Sequence, residues 1–157
     1  MMNTARTRTR LLTASAMGLA SASLLPAAPA LARCVTTAAN TTVCDATTPN
    51  PDTAQQNAGT ITVNPGAAIA SASNPAVTET GTAIAITNSG TISSTAAGGR
   101  AINVSGANNA RTITLVNNAG ATITSQDDAF RVNINPTGGS IRVDNFGTIQ
   151  TLSLIHI

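Results

Sequence analysis

The sequence predicts an all-β fold, a right-handed parallel β-helix of about four partial coils behind a signal peptide and a short disulfide-bonded cap. Three observations lead there. A unit carrying Asn, Gly, Thr and Ile in fixed order recurs along the chain. Between the recurrences lie short runs in which apolar residues alternate with small polar ones, the period of a strand. Apolar residues do not recur at the helical period, and Gly, Asn and Thr are poor helix formers.

Composition bounds the answer. Aromatic residues are 1% of 157, with no Trp, Tyr or Lys, so a core built on large rings is excluded. Charged residues are 9%, far below the roughly 25% of ordinary globular domains. Disorder combines low hydrophobicity with high net charge, whereas β-branched Thr, Ile and Val recur here at spaced positions. The formal charge of +2 includes Arg6, Arg8 and Arg10 of the leader, and the rest of the chain holds five Arg against six acids, a net −1. Nucleic acid and anionic membranes need clustered positive charge, so neither is an expected partner.

Residues 1–32 follow the plan of a secretory signal peptide: cationic start, apolar stretch from Leu11 to Leu25, then small residues around Pro26 and Pro29. Ala30-Leu31-Ala32 gives a small-x-small cleavage pattern, with cleavage expected between Ala32 and Arg33 and Ala28-Pro29-Ala30 as second choice. Ser, Thr and Gly interrupt the apolar run, which falls short of the ~20 apolar residues of a membrane span. Leu31-Ala32-Arg33-Cys34 superficially resembles a lipoprotein box, but Arg33 stands where such boxes carry a small residue. The leader arginines alternate with Thr and form no twin-Arg pair, so the expected route is unfolded export through the Sec translocon. Cys34 and Cys44, the two cysteines of the chain, read as one disulfide in an oxidising compartment. A metal site would need a His or a second Cys pair nearby. Residues 33–56, with this loop and Pro49-Asn50-Pro51, are assigned to a cap or linker, because an uncovered first coil would recruit other chains.

Residues 57–151 carry the repeat. Its corners are read at Asn57-Ala58-Gly59-Thr60-Ile61, Asn88-Ser89-Gly90-Thr91-Ile92, Asn118-Ala119-Gly120-Ala121-Thr122-Ile123 and Asn145-Phe146-Gly147-Thr148-Ile149, with starts 31, 30 and 27 residues apart. A second pattern, Ala followed by alternating apolar residues, occurs at Ala83-Ile84-Ala85-Ile86, Ala101-Ile102-Asn103-Val104 and Ala129-Phe130-Arg131-Val132. A third, Ile113-Thr114-Leu115 and Ile141-Arg142-Val143, runs straight into the Asn-Gly corner. Three short strands and their corners make one coil. Roughly five inward apolar residues at about 1.5–3 kcal/mol each do not offset the backbone entropy of ordering about 25 residues, so coils are stable only when stacked. Asn57, Asn88, Asn118 and Asn145 fall in matching positions and are expected to stack as an amide ladder.

The last six residues, Leu152-Ser153-Leu154-Ile155-His156-Ile157, break the pattern. They match an in-frame translation of a transposon mosaic-end adapter used for sequencing libraries, so residues 152–157 are expected to be adapter and the repeat to be cut mid-coil. His156 accordingly receives no function.

The leader, the short Cys loop and the NSGTISS, GGRAINVSG and NNAGATITS units together resemble the passengers of type V autotransporters over Met1 to about Thr151. The resemblance implies a longer β-helical stalk and a C-terminal β-barrel in the outer membrane that delivers the passenger to the cell surface. The barrel is missing from this sequence. Two-partner secretion exoproteins of the filamentous-haemagglutinin type look similar.

Catalytic patterns are not found. The sole His lies in the suspect tail and GxSxG is absent, so no serine-nucleophile set can be built. Asp127-Asp128 reads as a solvated turn, and the calcium-binding nonapeptide of some β-solenoids is missing. Gly98-Gly99 and Gly138-Gly139 lack the residues of a phosphate loop. Arg100, Arg111, Arg131 and Arg142 read as solubilising surface charges. No enzyme, cofactor or metal is therefore expected. The expected function is an adhesin-like, structural surface β-helix whose partners are host cells, glycans or other copies of itself. The competing expectation is the N-terminal part of a secreted enzyme, a polysaccharide lyase or an autotransporter hydrolase, because fold does not fix function.

Overall fold

A computed structural model describes residues 33–38, 40–46, 54–56, 59–73, 75–106, 111–133 and 138–152. These form fourteen strands and no helix. β1 (Arg33–Ala38), β2 (Thr41–Asp45) and β3 (Ala54–Gln56) come first, followed by β4 (Gly59–Val63), β5 (Ala68–Ser71) and β6 (Val77–Glu79). Next are β7 (Ala83–Asn88), β8 (Thr91–Ser94) and β9 (Ile102–Val104), then β10 (Thr112–Asn117), β11 (Thr122–Ser125) and β12 (Phe130–Val132). β13 (Ser140–Asn145) and β14 (Thr148–Thr151) end the series.

The strands stack into three sheets in the orders β1-β2-β4-β7-β10-β13, β5-β8-β11-β14 and β3-β6-β9-β12. Each sheet takes one strand from each successive circuit of the chain, which is the topology of a parallel β-solenoid. It makes about three turns, where the sequence predicted four partial coils, and β13 and β14 begin a further one.

Alternation explains how these residues choose this architecture. In a strand, successive side chains point to opposite faces, and the strands of the central coils show strict alternation of buried and partly exposed residues. Parallel in-register pairing then lines like with like. Ile61, Ile86, Leu115 and Val143 form one inward column of the first sheet. Ile69, Ile92, Ile123 and Ile149 form one in the second. Val77, Ile102 and Phe130 form one in the third. Ile61, Leu115, Ile92, Ile123 and Ile102 are fully buried, so the absence of large rings is met by stacking branched aliphatics, each worth about 1.5–3 kcal/mol when buried.

Two features of the predicted repeat are corrected. Gly59-Thr60-Ile61 lies within the first sheet, not at a corner, and the true partner of Ile92 in the preceding coil is Ile69. Asn57 lies outside the described residues. The Ala83-Ile84-Ala85-Ile86 run pairs with Thr112–Leu115 in the first sheet, whereas Ile102–Val104 and Phe130–Val132 pair in the third. Parallel stacking also starts before residue 57. β2 pairs with β4, and β3 with β6.

β1 is the exception to parallel order. It pairs antiparallel with β2, with Cys34 opposite Cys44, and the predicted disulfide joins them. This hairpin covers the N-terminal edge of the first sheet, where an open strand would be a template for other chains. At the other end the apolar interior is uncovered: Ile141 and Val143 are 45% and 44% exposed, while their stacked neighbours Ile113 and Leu115 are at 0%.

Candidate functional site

The corner between the first and second sheets carries the most specific side-chain chemistry. Each of β7, β10 and β13 ends on Asn, and register aligns Asn88, Asn117 and Asn145. The amide Nδ2 of Asn88 donates to Oδ1 of Asn117 at 2.9 Å, and Nδ2 of Asn117 donates to Oδ1 of Asn145 at 2.8 Å. Each Nδ2 also reaches the next coil's backbone, Asn88 to the Thr122 carbonyl and Asn117 to the Thr148 carbonyl, both at 3.2 Å. All four bonds run in the same direction along the solenoid. Asn88 and Asn117 are fully buried, so these bonds meet the cost of placing an amide in an apolar interior.

The expected ladder therefore exists, but it runs through Asn117 and not Asn118. Asn118 is one residue into the turn, where its Nδ2 donates to the Ser89 hydroxyl at 2.8 Å. The signal that finds Asn117 is the six-residue strand ending on Asn, in AIAITN, TITLVN and SIRVDN. Anchoring the alignment on the following Gly hides it, because corner lengths differ. In the preceding coils, Val63 and Cys44 occupy the same column, which places the disulfide at its N-terminal head.

The corners alternate between two builds. Asn64-Pro65-Gly66-Ala67 and Asn118-Ala119-Gly120-Ala121 are long corners, each closed by a bond from the Ala nitrogen to the Asn carbonyl at 3.0 Å. Gly66 and Gly120 have φ of 79°, the third-residue conformation of a type II turn, which Gly adopts without a steric penalty. Gly90 and Gly147 form short corners, each stacked on the long corner of the coil before it. A Cβ on Gly90 would lie 2.2 Å from the Ala67 carbonyl oxygen, and one on Gly147 would lie 2.3 Å from that of Ala121. Each short-corner glycine is thus fixed by contact with the long corner stacked on it. Gly59, predicted as a corner, opens β4 instead, where a Cβ would overlap the Asn40 carbonyl.

Charge is distributed in two ways. Arg100 bridges Asp127 and Asp128 at 3.4 Å each, and Arg131 approaches Asp128 at 4.0 Å, in a half-exposed network at the corner between the second and third sheets. Arg142 pairs with Asp144 on the outer face of β13 at 2.8 Å. Arg111 departs from its expected surface role: it is 1% exposed, with Nη1 donating to the Ser105 carbonyl at 2.9 Å. Glu79, also fully buried, adjoins the same corner, since the Ser105 nitrogen donates to its carbonyl at 2.8 Å. Arg111 does not stand out in the sequence, because period-two alternation marks inward positions only inside strands and Arg111 precedes one, whereas Glu79 takes the inward phase of Val77 in β6, a strand too short to show an alternation.

The outer faces present Thr, Ser and Ala. A shallow groove of about 300 Å³ crosses the first sheet beside Gly59, Ala83, Ala85 and Thr114, where small side chains lower the surface. Among the described residues no three of His, Cys, Asp and Glu come together at metal-binding distance. Gly98-Gly99 and Gly138-Gly139 are in connections between strands. His156 and Ala32 lie outside the described residues, and Arg33 opens β1. Fold and corner chemistry define a three-sided parallel β-solenoid with an internal Asn ladder. Comparison of the chain with protein-family models, curated proteins and solved structures finds no match.

Proposed function

We propose that this chain is the N-terminal part of an exported autotransporter passenger, a right-handed β-helix that serves as an adhesin-like structural element at the cell surface and catalyses no reaction itself. The observation that carries this reading is the disulfide-closed hairpin heading a parallel solenoid. A disulfide persists in oxidising compartments, and it follows directly on a leader-like segment whose export would proceed through the Sec translocon. A solenoid of short, regular coils offers a long uniform surface and few loops, which suits adhesion to glycans, host cells or neighbouring copies better than it suits a catalytic pocket. Delivery to the surface would use an outer-membrane β-barrel.

Expression with the native leader in a Gram-negative host tests the reading. Mass spectrometry of the periplasmic product should give a mature chain beginning at Arg33 with an oxidised Cys34–Cys44 pair. Recovery of a soluble cytosolic product that keeps residues 1–32 would refute export.

A further inference from the structure

We infer that Glu79 and Arg111 form an interior charge pair that latches the seam between the third and first sheets, and that neutralising Glu79 in acid releases the latch. The inference concerns the interior of the solenoid and is independent of export. Burial, placement and contact carry it together.

Glu79 is 0% and Arg111 1% exposed, and among the described residues they are the two charged side chains that are buried. A carboxylate or guanidinium enclosed alone is very costly, so buried charges are found in pairs. Glu79 ends β6, and register stacks it on Val104 of the next coil and, through Val104, on Val132. Arg111 stands just before β10, at the head of the coil after that. The Ser105-Gly106 corner lies between them and is held from both sides. The Ser105 nitrogen donates to the Glu79 carbonyl at 2.8 Å, and the Ser105 carbonyl accepts Nη1 of Arg111 at 2.9 Å. A Cβ on Gly106 would lie 2.6 Å from Arg111 Nη2 and 3.3 Å from the Thr80 carbonyl oxygen. The guanidinium thus crosses a residue that has no side chain and meets the corner that Glu79 opens.

The surroundings of Glu79 supply no competing charge among the described residues. Register sets Gln56 of β3 on one side of it and Val104 of β9 on the other, and residues 107–110 read Ala-Asn-Asn-Ala. The inward columns of the first and second sheets bring Ile, Leu, Val, Ser and Asn. Arg100, Asp127, Asp128 and Arg131 form their own network at the corner between the second and third sheets. At neutral pH both members of the pair are charged and the latch is closed. Guanidinium groups stay protonated, whereas a carboxylate takes up its proton as the pH falls toward about 4. A neutral Glu79 leaves the Arg111 charge enclosed without its counter-charge, and the seam opens to let that charge reach water. Stability from the pair is therefore present above the carboxylate range and lost below it.

The test is urea unfolding of the oxidised full-length chain, followed by circular dichroism from neutral to about pH 3. Glu79→Gln keeps the shape and removes the charge. At neutral pH it is expected to raise the unfolding constant roughly 100-fold or more, as breaking a buried pair does, and to flatten the acid limb of the profile. Adding Arg111→Met removes the enclosed charge and should restore at least roughly tenfold of that loss. Where Glu79→Gln is too unstable to fold, folding of the double variant carries the same conclusion. Hydrogen exchange, corrected for the intrinsic rate, locates the event. In the parent, acid should lower protection at the Ser105 amide, which donates to Glu79, before that at the Asn118 amide, which donates to Asn88 at the corner between the first and second sheets. A double variant no more stable than Glu79→Gln, a Glu79→Gln profile parallel to the parent's, or equal loss of protection at Ser105 and Asn118 would each overturn the inference.

Discussion

Asn117 and Asn118 are adjacent and chemically identical, yet the fold gives them different work. Asn117 is fully buried and makes bonds to the coil after it, while Asn118 is half-buried at the turn with one bond to Ser89. Removing the Asn117 amide leaves one of the two Asn88 Nδ2 hydrogens without its acceptor in the interior, the other still reaching the Thr122 carbonyl, which costs about 1–3 kcal/mol. Asn117→Ala is therefore expected to lower stability by about that amount in urea titration, and Asn118→Ala by about 1 kcal/mol or less. Equal losses would show that the ladder adds nothing beyond an ordinary turn bond. Arg111 makes the same point about placement. Its guanidinium lies in the interior against Gly106 and donates to Ser105, although composition alone marks every Arg here as a surface residue.

At the scale of the element, the glycines separate into two kinds. Gly120 needs its positive φ but has open space around a Cβ, whereas Gly90 has ordinary backbone angles and no space at all. Gly120→Ala should cost about 1–2 kcal/mol, the penalty of a left-handed L-residue. Gly90→Ala must push the Ala67 corner off its own strand and should cost more, about 3 kcal/mol or above, as overpacking does. Thermal melts of the two variants would check the order, and a smaller loss for Gly90→Ala would contradict the stacked-corner account.

For the whole molecule, stability comes from neighbours, and so it should vary along the axis. β7 and β10 have a parallel partner on both sides, while β13 has one only. Hydrogen exchange should be slowest in β7 and β10 and much faster in β13 and β14, where Ile141 and Val143 are half exposed and Ile149 is only partly buried. At the N-terminal end, the hairpin resists opening through the Cys34–Cys44 closure, worth about 2–3 kcal/mol by loop entropy. Reduction should therefore raise exchange first in β1 and β2 and leave β10 little changed. Uniform protection along the chain would mean that the coils unfold as one unit.

The sequence by itself determined the all-β solenoid class, the strand character of the alternating runs from Ala83 onward and the disulfide, because these follow from period-two alternation, a recurring corner and a lone cysteine pair. Stacked positions such as Ile92 and Ile123 were legible because both follow a Gly-containing corner with Thr immediately before Ile. Only the tertiary structure decided the phase of the first coil, the choice of Asn117 over Asn118, the alternation of corner lengths and the burial of Arg111 and Glu79. Those depend on which residues of different coils come to lie 4.7–4.9 Å apart, the approximate strand spacing. A one-dimensional pattern with corners of unequal length does not fix that register. Contact between coils does, by admitting a single alignment in which the apolar columns close and each buried amide finds its acceptor.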